Sequence, residues 1–118
     1  MNKIYHLSTC DTCKRIIKQL ELPETFVFQD IKSEPVTVKQ LEEMKALAGS
    51  YESLFSRRAK LYKERDLGAE NLTEQDYKDL IIEHYTFLKR PVIIVGKSIF
   101  AGNSKKTVEA AAKAISEL

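Results

Sequence analysis

The sequence predicts an α/β fold that combines a βαβ unit, a helical insertion and a ββα unit, with four strands in one mixed sheet. Three observations support this prediction. Two strand-like segments flank a helical pattern near the start, the long middle segment has no strand-like pattern, and two more strand-like segments precede a final helical pattern. Because 118 residues suit one domain, we expect a single domain, residues 1–118, with the insertion at about 33–88.

The βαβ unit begins with a predicted strand at residues 3–7 and continues to a second at 25–30, which is rich in aromatic and β-branched residues. Between them, apolar residues recur at helical spacing until Leu22-Pro23 ends the pattern. Because a connection of helix length joins the two strands, we expect them to be parallel.

The middle of the chain carries helix signals only. Thr37 and Gln40 have the spacing of a capping box, and the helix that they begin is expected to end at Gly49. Leu41, Met44, Leu47 and Ala48 recur on one face of that helix. Thr73 is expected to cap a second long helix. Short helices are expected at 51–55 and 59–65.

The last part of the chain predicts a β-hairpin followed by a helix. Residues 92–95 are a β-branched run, Gly96-Lys97 is a turn, and 98–101 is the returning strand. Ser104 is expected to cap the final helix. The apolar face of that helix is predicted to consist of Val108, Ala111, Ala112, Ile115 and Leu118.

Composition argues against two classes of partner. The chain has 19 lysines and arginines against 17 aspartates and glutamates, and a net charge of +2 is too small to favour direct binding to nucleic acid or to an anionic membrane. The first residues enter a strand without the apolar segment of a signal peptide, and no apolar run approaches the length of a membrane span. We therefore expect a cytoplasmic protein.

The two cysteines, Cys10 and Cys13, lie one helical turn apart between the first strand and the first helix. A thiol at a helix N-terminus faces unpaired N–H groups and the positive end of the helix dipole, so Cys10 is predicted to be the nucleophile. The carboxylate of Asp11 opposes this effect unless it faces solvent or Lys14. Cys13 is predicted to resolve the adduct by closing a disulfide with Cys10. The alternatives are resolution by glutathione and two buried thiols without chemistry.

A zinc site is not expected. Zinc usually has four protein ligands in a structural site, and only His6 and His84 are available to join the two cysteines. In a reducing compartment, two cysteines at this spacing more often carry redox chemistry. No metal or organic cofactor is implied.

The chain resembles the arsenate reductase (ArsC) family, including its Spx-type members. The resemblance rests on the Cys-x-x-Cys between the first strand and the first helix, on Arg90-Pro91 at the start of a later strand, and on a helical insertion that carries an arginine. It covers essentially the whole chain. It implies a thioredoxin-like (glutaredoxin-like) fold and a cis peptide bond at Pro91 beside the thiols.

The arsenate-reducing members hold their oxyanion with three arginines. By order in the chain, Arg58 matches the first and Arg90 the second, whereas Gly102 stands where the third is expected. The Spx-type members share this glycine and the basic residues after the second cysteine, here Lys14-Arg15. The motifs of this chain are therefore nearer to the Spx-type members.

The resemblance leaves two functions open. The first is a bacterial thiol–disulfide oxidoreductase that reduces arsenate or another oxidised substrate and is itself reduced by glutathione, glutaredoxin or thioredoxin. The second is a redox-sensing transcriptional regulator that binds the RNA polymerase α-subunit, with the same disulfide as its switch. A general glutaredoxin-like exchange activity is the remaining alternative.

Two arginines are candidates to bind a ligand beside the thiols. Arg58 and Arg90 are predicted to bind an oxyanion or an acidic group because a guanidinium presents planar donors, and Arg57 is the neighbouring alternative to Arg58.

His6, Lys14 and Arg15 are candidates to tune the pKa of Cys10. The opposing interpretation is a core position for His6 and solvated charges for Lys14 and Arg15.

Overall fold

Four strands form one mixed sheet in the computed structural model, which describes residues 1–118. They are β1 (Asn2–His6), β2 (Val27–Asp30), β3 (Val92–Val95) and β4 (Ser98–Ala101). The order across the sheet is β2-β1-β3-β4, with β1 and β2 parallel and the other neighbours antiparallel. The predicted parallel βαβ unit and the predicted hairpin are therefore both confirmed.

Five α-helices follow the predicted order. They are α1 (Asp11–Leu20), α2 (Val38–Ala48), α3 (Lys60–Glu64), α4 (Glu74–Glu83) and α5 (Lys105–Ser116). A 3₁₀ turn at Glu52–Leu54 was expected as a short helix, whereas those at Leu67–Ala69 and Tyr85–Phe87 were not predicted. None of the helices is long and apolar enough to cross a membrane.

The chain divides into two compact units. One, which we call the sheet unit, comprises Met1–Pro35 and Arg90–Leu118, and the other, the helical unit, comprises Val36–Lys89. The helical unit coincides closely with the predicted insertion. It contains no strand, only an isolated antiparallel bridge between Phe55 and Leu88.

In the sheet unit, residues from β1, β3, α1 and α5 share one hydrophobic core. Its buried members are Ile4, Ile16, Leu20, Phe26, Ile93, Val95, Val108 and Ala111. Ser104 caps α5 by accepting a hydrogen bond from the Thr107 N–H, as predicted. The expectation that Ala112 and Leu118 belong to the apolar face of α5 is wrong, because both are exposed and α5 ends at Ser116, before Leu118.

In the helical unit, side chains satisfy the free N–H groups at the start of both long helices. Thr37 and Gln40 form a reciprocal capping box at α2, and Thr73 and Asp76 form another at α4. Gly49 ends α2 with a φ of +96°, a conformation that favours glycine.

The apolar face of α2 is narrower than predicted. Leu41 and Met44 are fully buried, whereas Leu47 is 37% exposed.

Candidate functional site

Cys10 lies at the junction between the loop that follows β1 and the start of α1. Its backbone is extended, its N–H donates to the Leu7 carbonyl at 3.0 Å, and its own carbonyl accepts the N–H of Lys14 at 3.1 Å. Cys10 is therefore the N-cap residue of α1, as the sequence predicts. Its side chain is half-buried, whereas that of Cys13 is fully buried one turn later.

The surroundings of Cys10 favour its thiolate. Burial acts to raise the pKa of the thiol, but it is outweighed by the backbone N–H and side chain of Cys13, the backbone N–H of Thr12 and the charge of Arg90, so the pKa lies below its ordinary value. The Cys10 side chain does not accept a capping hydrogen bond of the usual geometry. The N–H groups of Thr12 and Cys13 nevertheless belong to the first turn of α1, where they have no partner within the helix. Cys10 is therefore the more readily ionised thiol.

The surroundings of Cys13 favour its protonated form. Burial is the largest cause, and the charge and hydrogen bond of Cys10 act in the same direction, so the pKa of Cys13 is raised to about 11. A backbone hydrogen bond from Leu7 and the charge of Arg90 oppose this rise without cancelling it. The two thiols thus form an asymmetric pair in which Cys10 ionises more readily than Cys13.

Arg90 and Pro91 lie directly before β3. The charge of Arg90 lowers the pKa of both thiols, which places a guanidinium in their electrostatic range. The Arg90–Pro91 peptide bond is cis, as the resemblance implies. The Pro91 carbonyl accepts a hydrogen bond from the N–H of Gly102 at 2.9 Å, so Gly102 lies beside Pro91.

Asp30 is a residue of this site that the sequence analysis missed. Its carboxylate accepts hydrogen bonds from the hydroxyl and the N–H of Ser8, two residues before Cys10. The parallel pairing of β1 with β2 places Asp30 opposite His6, at the edge where the loop before Cys10 begins. The predicted parallel pairing of the two strands could have indicated this contact, because the carboxyl ends of parallel strands lie at the same edge of a sheet.

Two adjacent arginines in the helical unit differ in their contacts. Arg57 forms an ion pair with Glu52 at 2.6 Å and donates to the Tyr77 hydroxyl at 3.0 Å. Arg58 is exposed and its guanidinium forms no ion pair in the structure. Of the two arginines, Arg57 is therefore the one held by side-chain contacts, and the binding of a ligand by Arg58 stays a prediction.

The predicted pKa-tuning residues lie on β1 and α1. His6 is half-buried and packs edge-on against Phe28, with ring centroids 5.8 Å apart. Lys14 and Arg15 are exposed, as is Asp11. Their influence on Cys10 stays a prediction.

His84, the second histidine, lies at the end of α4. Its Nδ1 accepts the N–H of Thr86 at 3.1 Å, which caps the following 3₁₀ turn. No group of three or more histidine, cysteine, aspartate or glutamate side chains is arranged to hold a metal ion.

Comparisons with known proteins identify relatives over nearly the whole chain. The sequence profile of the ArsC family matches residues 5–111. The global transcriptional regulator Spx of Bacillus subtilis (strain 168) is 27% identical over 110 residues, which cover 92% of this chain and 84% of that protein.

Solved structures show the same fold. The protein named YFFB superposes with a TM-score of 0.78 at 20% identity, covering 98% of this chain and 99% of its own. The arsenate reductase from Vibrio cholerae superposes with a TM-score of 0.71 at 21% identity, covering 95% of each chain.

Proposed function

Because the chain belongs to the ArsC family and has the thioredoxin-like α/β fold of its structural neighbours, we propose that it is a thiol–disulfide oxidoreductase with Cys10 as nucleophile and Cys13 as resolving thiol. The observation that supports this most is the opposite shift in the pKa of the two thiols. An exchange reaction needs an ionised attacking thiol and a second thiol that waits until the first has reacted.

In the first step, the Cys10 thiolate attacks one sulfur of a disulfide substrate. A bond forms between this sulfur and Cys10, the substrate S–S bond breaks, and the departing sulfur leaves as a thiolate that takes a proton from solvent. Cys10 is half-buried, so part of its side chain is exposed to an approaching substrate.

In the second step, Cys13 attacks the sulfur of Cys10 and releases the substrate as a thiol. Once Cys10 carries the substrate it has no charge, so the charge and hydrogen bond that raise the pKa of Cys13 disappear. The pKa of Cys13 then falls, although burial still acts to raise it, so Cys13 loses its proton more readily in the mixed disulfide than in the reduced protein. Glutathione, glutaredoxin or thioredoxin restores both thiols.

An oxyanion such as arsenate is the second substrate class that fits these residues. Arg90, in electrostatic range of the thiols, would bind the anion. Cys10 would displace water from the arsenic to form a thioester, and attack of a second thiol on the Cys10 sulfur would release arsenite. Since Gly102 stands where a third arginine is expected, we place disulfides before arsenate.

Regulation of transcription is the second candidate function. It is favoured by the similarity to Spx over 92% of the chain. It is also favoured by Gly102, because the Spx-type members have a glycine at the matching position. In this case the Cys10–Cys13 disulfide would be a switch that alters binding to the RNA polymerase α-subunit, and no small substrate would be turned over.

Turnover by the purified protein tests the proposed enzyme. The reduced protein is mixed with a small disulfide or with arsenate, and oxidation of glutathione is followed with and without glutaredoxin. We expect turnover by the wild type, none by Cys10→Ser, and a trapped mixed disulfide on Cys10 in Cys13→Ser, detected by mass spectrometry. Wild-type rates equal to those of Cys10→Ser would refute the enzyme.

Binding to the polymerase tests the regulator. The carboxyl-terminal domain of the polymerase α-subunit is titrated with the protein in its reduced and oxidised forms. A difference in affinity that disappears in Cys10→Ser would support the switch. Equal affinity, or no binding, would exclude it.

A further inference from the structure

Asp30 ends β2, and its carboxylate is the centre of a small hydrogen-bond network. Ser8 donates twice, from its hydroxyl to Oδ2 at 2.6 Å and from its backbone N–H to Oδ1 at 3.2 Å. The N–H of Lys32 donates to Oδ1 at 3.2 Å and the hydroxyl of Ser33 to Oδ2 at 3.3 Å. These donors, with the Ser8 hydroxyl the largest influence, lower the pKa of Asp30 to about 2, so the carboxylate is ionised at neutral pH.

The loop that Asp30 contacts carries the groups that surround both thiols. Leu7 accepts the Cys10 N–H through its carbonyl, and a backbone hydrogen bond from Leu7 acts on the Cys13 thiol. Ser8 and Thr9 are exposed, so burial does not hold this part of the loop. Leu7, the preceding residue, is buried, and the two hydrogen bonds from Ser8 to Asp30 extend the attachment of the loop to β2 beyond Leu7.

We propose that Asp30 is a positioning residue which, through Ser8, holds the loop between β1 and α1 so that Cys10 faces the N-terminus of α1. Asp30 does not touch the reacting sulfur in this role. It fixes the backbone two residues before Cys10, and thereby the distance between the Cys10 sulfur and the N–H groups of Thr12 and Cys13. This inference rests on the proposed thiol chemistry of Cys10.

The sign of one effect separates positioning from simple electrostatics. A carboxylate near a thiol opposes ionisation, so removing its charge alone would lower the pKa of Cys10. Loosening the loop has the opposite result, because the thiolate loses well-placed N–H donors. If Asp30 acts by position, its removal therefore raises the pKa of Cys10.

The test measures the alkylation rate of Cys10 against pH by mass spectrometry, in the reduced full-length protein. We expect Asp30→Ala and Ser8→Ala each to raise the midpoint by roughly 0.5 to 1 pH unit, and the double variant to raise it no further. Ser8→Thr, which keeps the hydroxyl, is expected to retain the wild-type midpoint. Ser33→Ala is the matched control, because it removes a hydrogen bond to Asp30 without touching the loop.

An unchanged or lowered midpoint in Ser8→Ala would overturn the proposal. Because the Ser8 side chain is exposed, that variant gives the answer even if Asp30→Ala fails to fold. The result is distinct from a failure of the proposed function, which would appear as a lack of turnover in the wild type. If the wild type shows no turnover, a higher Cys10 midpoint in Ser8→Ala than in the wild type would still support the positioning role of Asp30.

Discussion

The sheet unit and the helical unit use their polar side chains differently. In the sheet unit, the N–H groups of Thr12 and Cys13 and the charge of Arg90 act on the Cys10 thiol, and the Asp30 carboxylate holds the loop before it. In the helical unit, eight ionised side chains contact one another in four ion pairs. The ion pairs there are Arg57–Glu52, Lys60–Glu64, Arg65–Glu83 and Lys78–Glu42.

This difference separates chemistry from architecture. In the sheet unit, several weak electrostatic effects act on the Cys10 thiol and change its reactivity. The helical unit instead has four ion pairs that are partly solvent-exposed, and such pairs contribute little to stability individually. Its stability comes from apolar and aromatic packing.

The largest expected effect is the loss of all exchange activity in Cys10→Ser. A serine hydroxyl at this position is not ionised at neutral pH, so it cannot replace the thiolate. Disulfide-dependent oxidation of glutathione should fall to the rate without protein, while circular dichroism shows a folded chain. Activity that persists in this variant would place the chemistry elsewhere in the molecule.

The next largest effect is on the stability of the helical unit. Phe55 is fully buried and its ring lies 5.4 Å from Phe87 and 4.8 Å from Tyr77. We expect Phe55→Ala to lower the free energy of unfolding by about 3–5 kcal/mol in urea denaturation. Leu47→Ala, at a 37% exposed site, serves as the control and should change it by less than about 0.5 kcal/mol. Similar losses for both variants would contradict the packing described here.

A smaller effect distinguishes the two adjacent arginines. Arg57→Ala removes a half-exposed ion pair and a hydrogen bond to Tyr77, so it should lower the free energy of unfolding by about 0.5–1 kcal/mol. Arg58→Ala should leave stability unchanged within about 0.5 kcal/mol. The reverse pattern would contradict the contacts of Arg57 with Glu52 and Tyr77.

The smallest expected effect is the pH dependence of the stability that Asp30 contributes. Its pKa in the folded protein, about 2, is below the ordinary value, so its contribution to stability is present above that ordinary value of about 3.9 and is lost as the pH falls toward 2. The stability difference between wild type and Asp30→Ala should therefore be constant from pH 7 to 5 and should shrink between pH 4 and 2. A difference that grows on acidification would have the wrong sign.

Local patterns in the sequence predicted most of the fold. The hairpin at Val92–Val95 and Ser98–Ala101 and the caps at Thr37 and Thr73 each depend on residues close together in the chain. The unpredicted 3₁₀ turns at Leu67–Ala69 and Tyr85–Phe87 are too short to show a periodicity. Short-range spacing was therefore sufficient for the regular elements only.

The candidate site needed contacts between distant residues. Spacing identified Cys10 and Cys13. Arg57 and Arg58 are adjacent and identical in type, and the contacts of Arg57 with Glu52 and Tyr77 distinguish them. Asp30 is 22 residues from Ser8, so its role depends on strand register.

The most direct test of the asymmetric thiol pair is a site-resolved alkylation profile of the reduced wild type from pH 5 to 11.5. Mass spectrometry follows Cys10 and Cys13 separately in the same sample. We predict a Cys10 midpoint below the free cysteine value of about 8.5 and protection of Cys13 until the pH approaches about 11. Two midpoints near the free value, or Cys13 titrating before Cys10, would contradict the account.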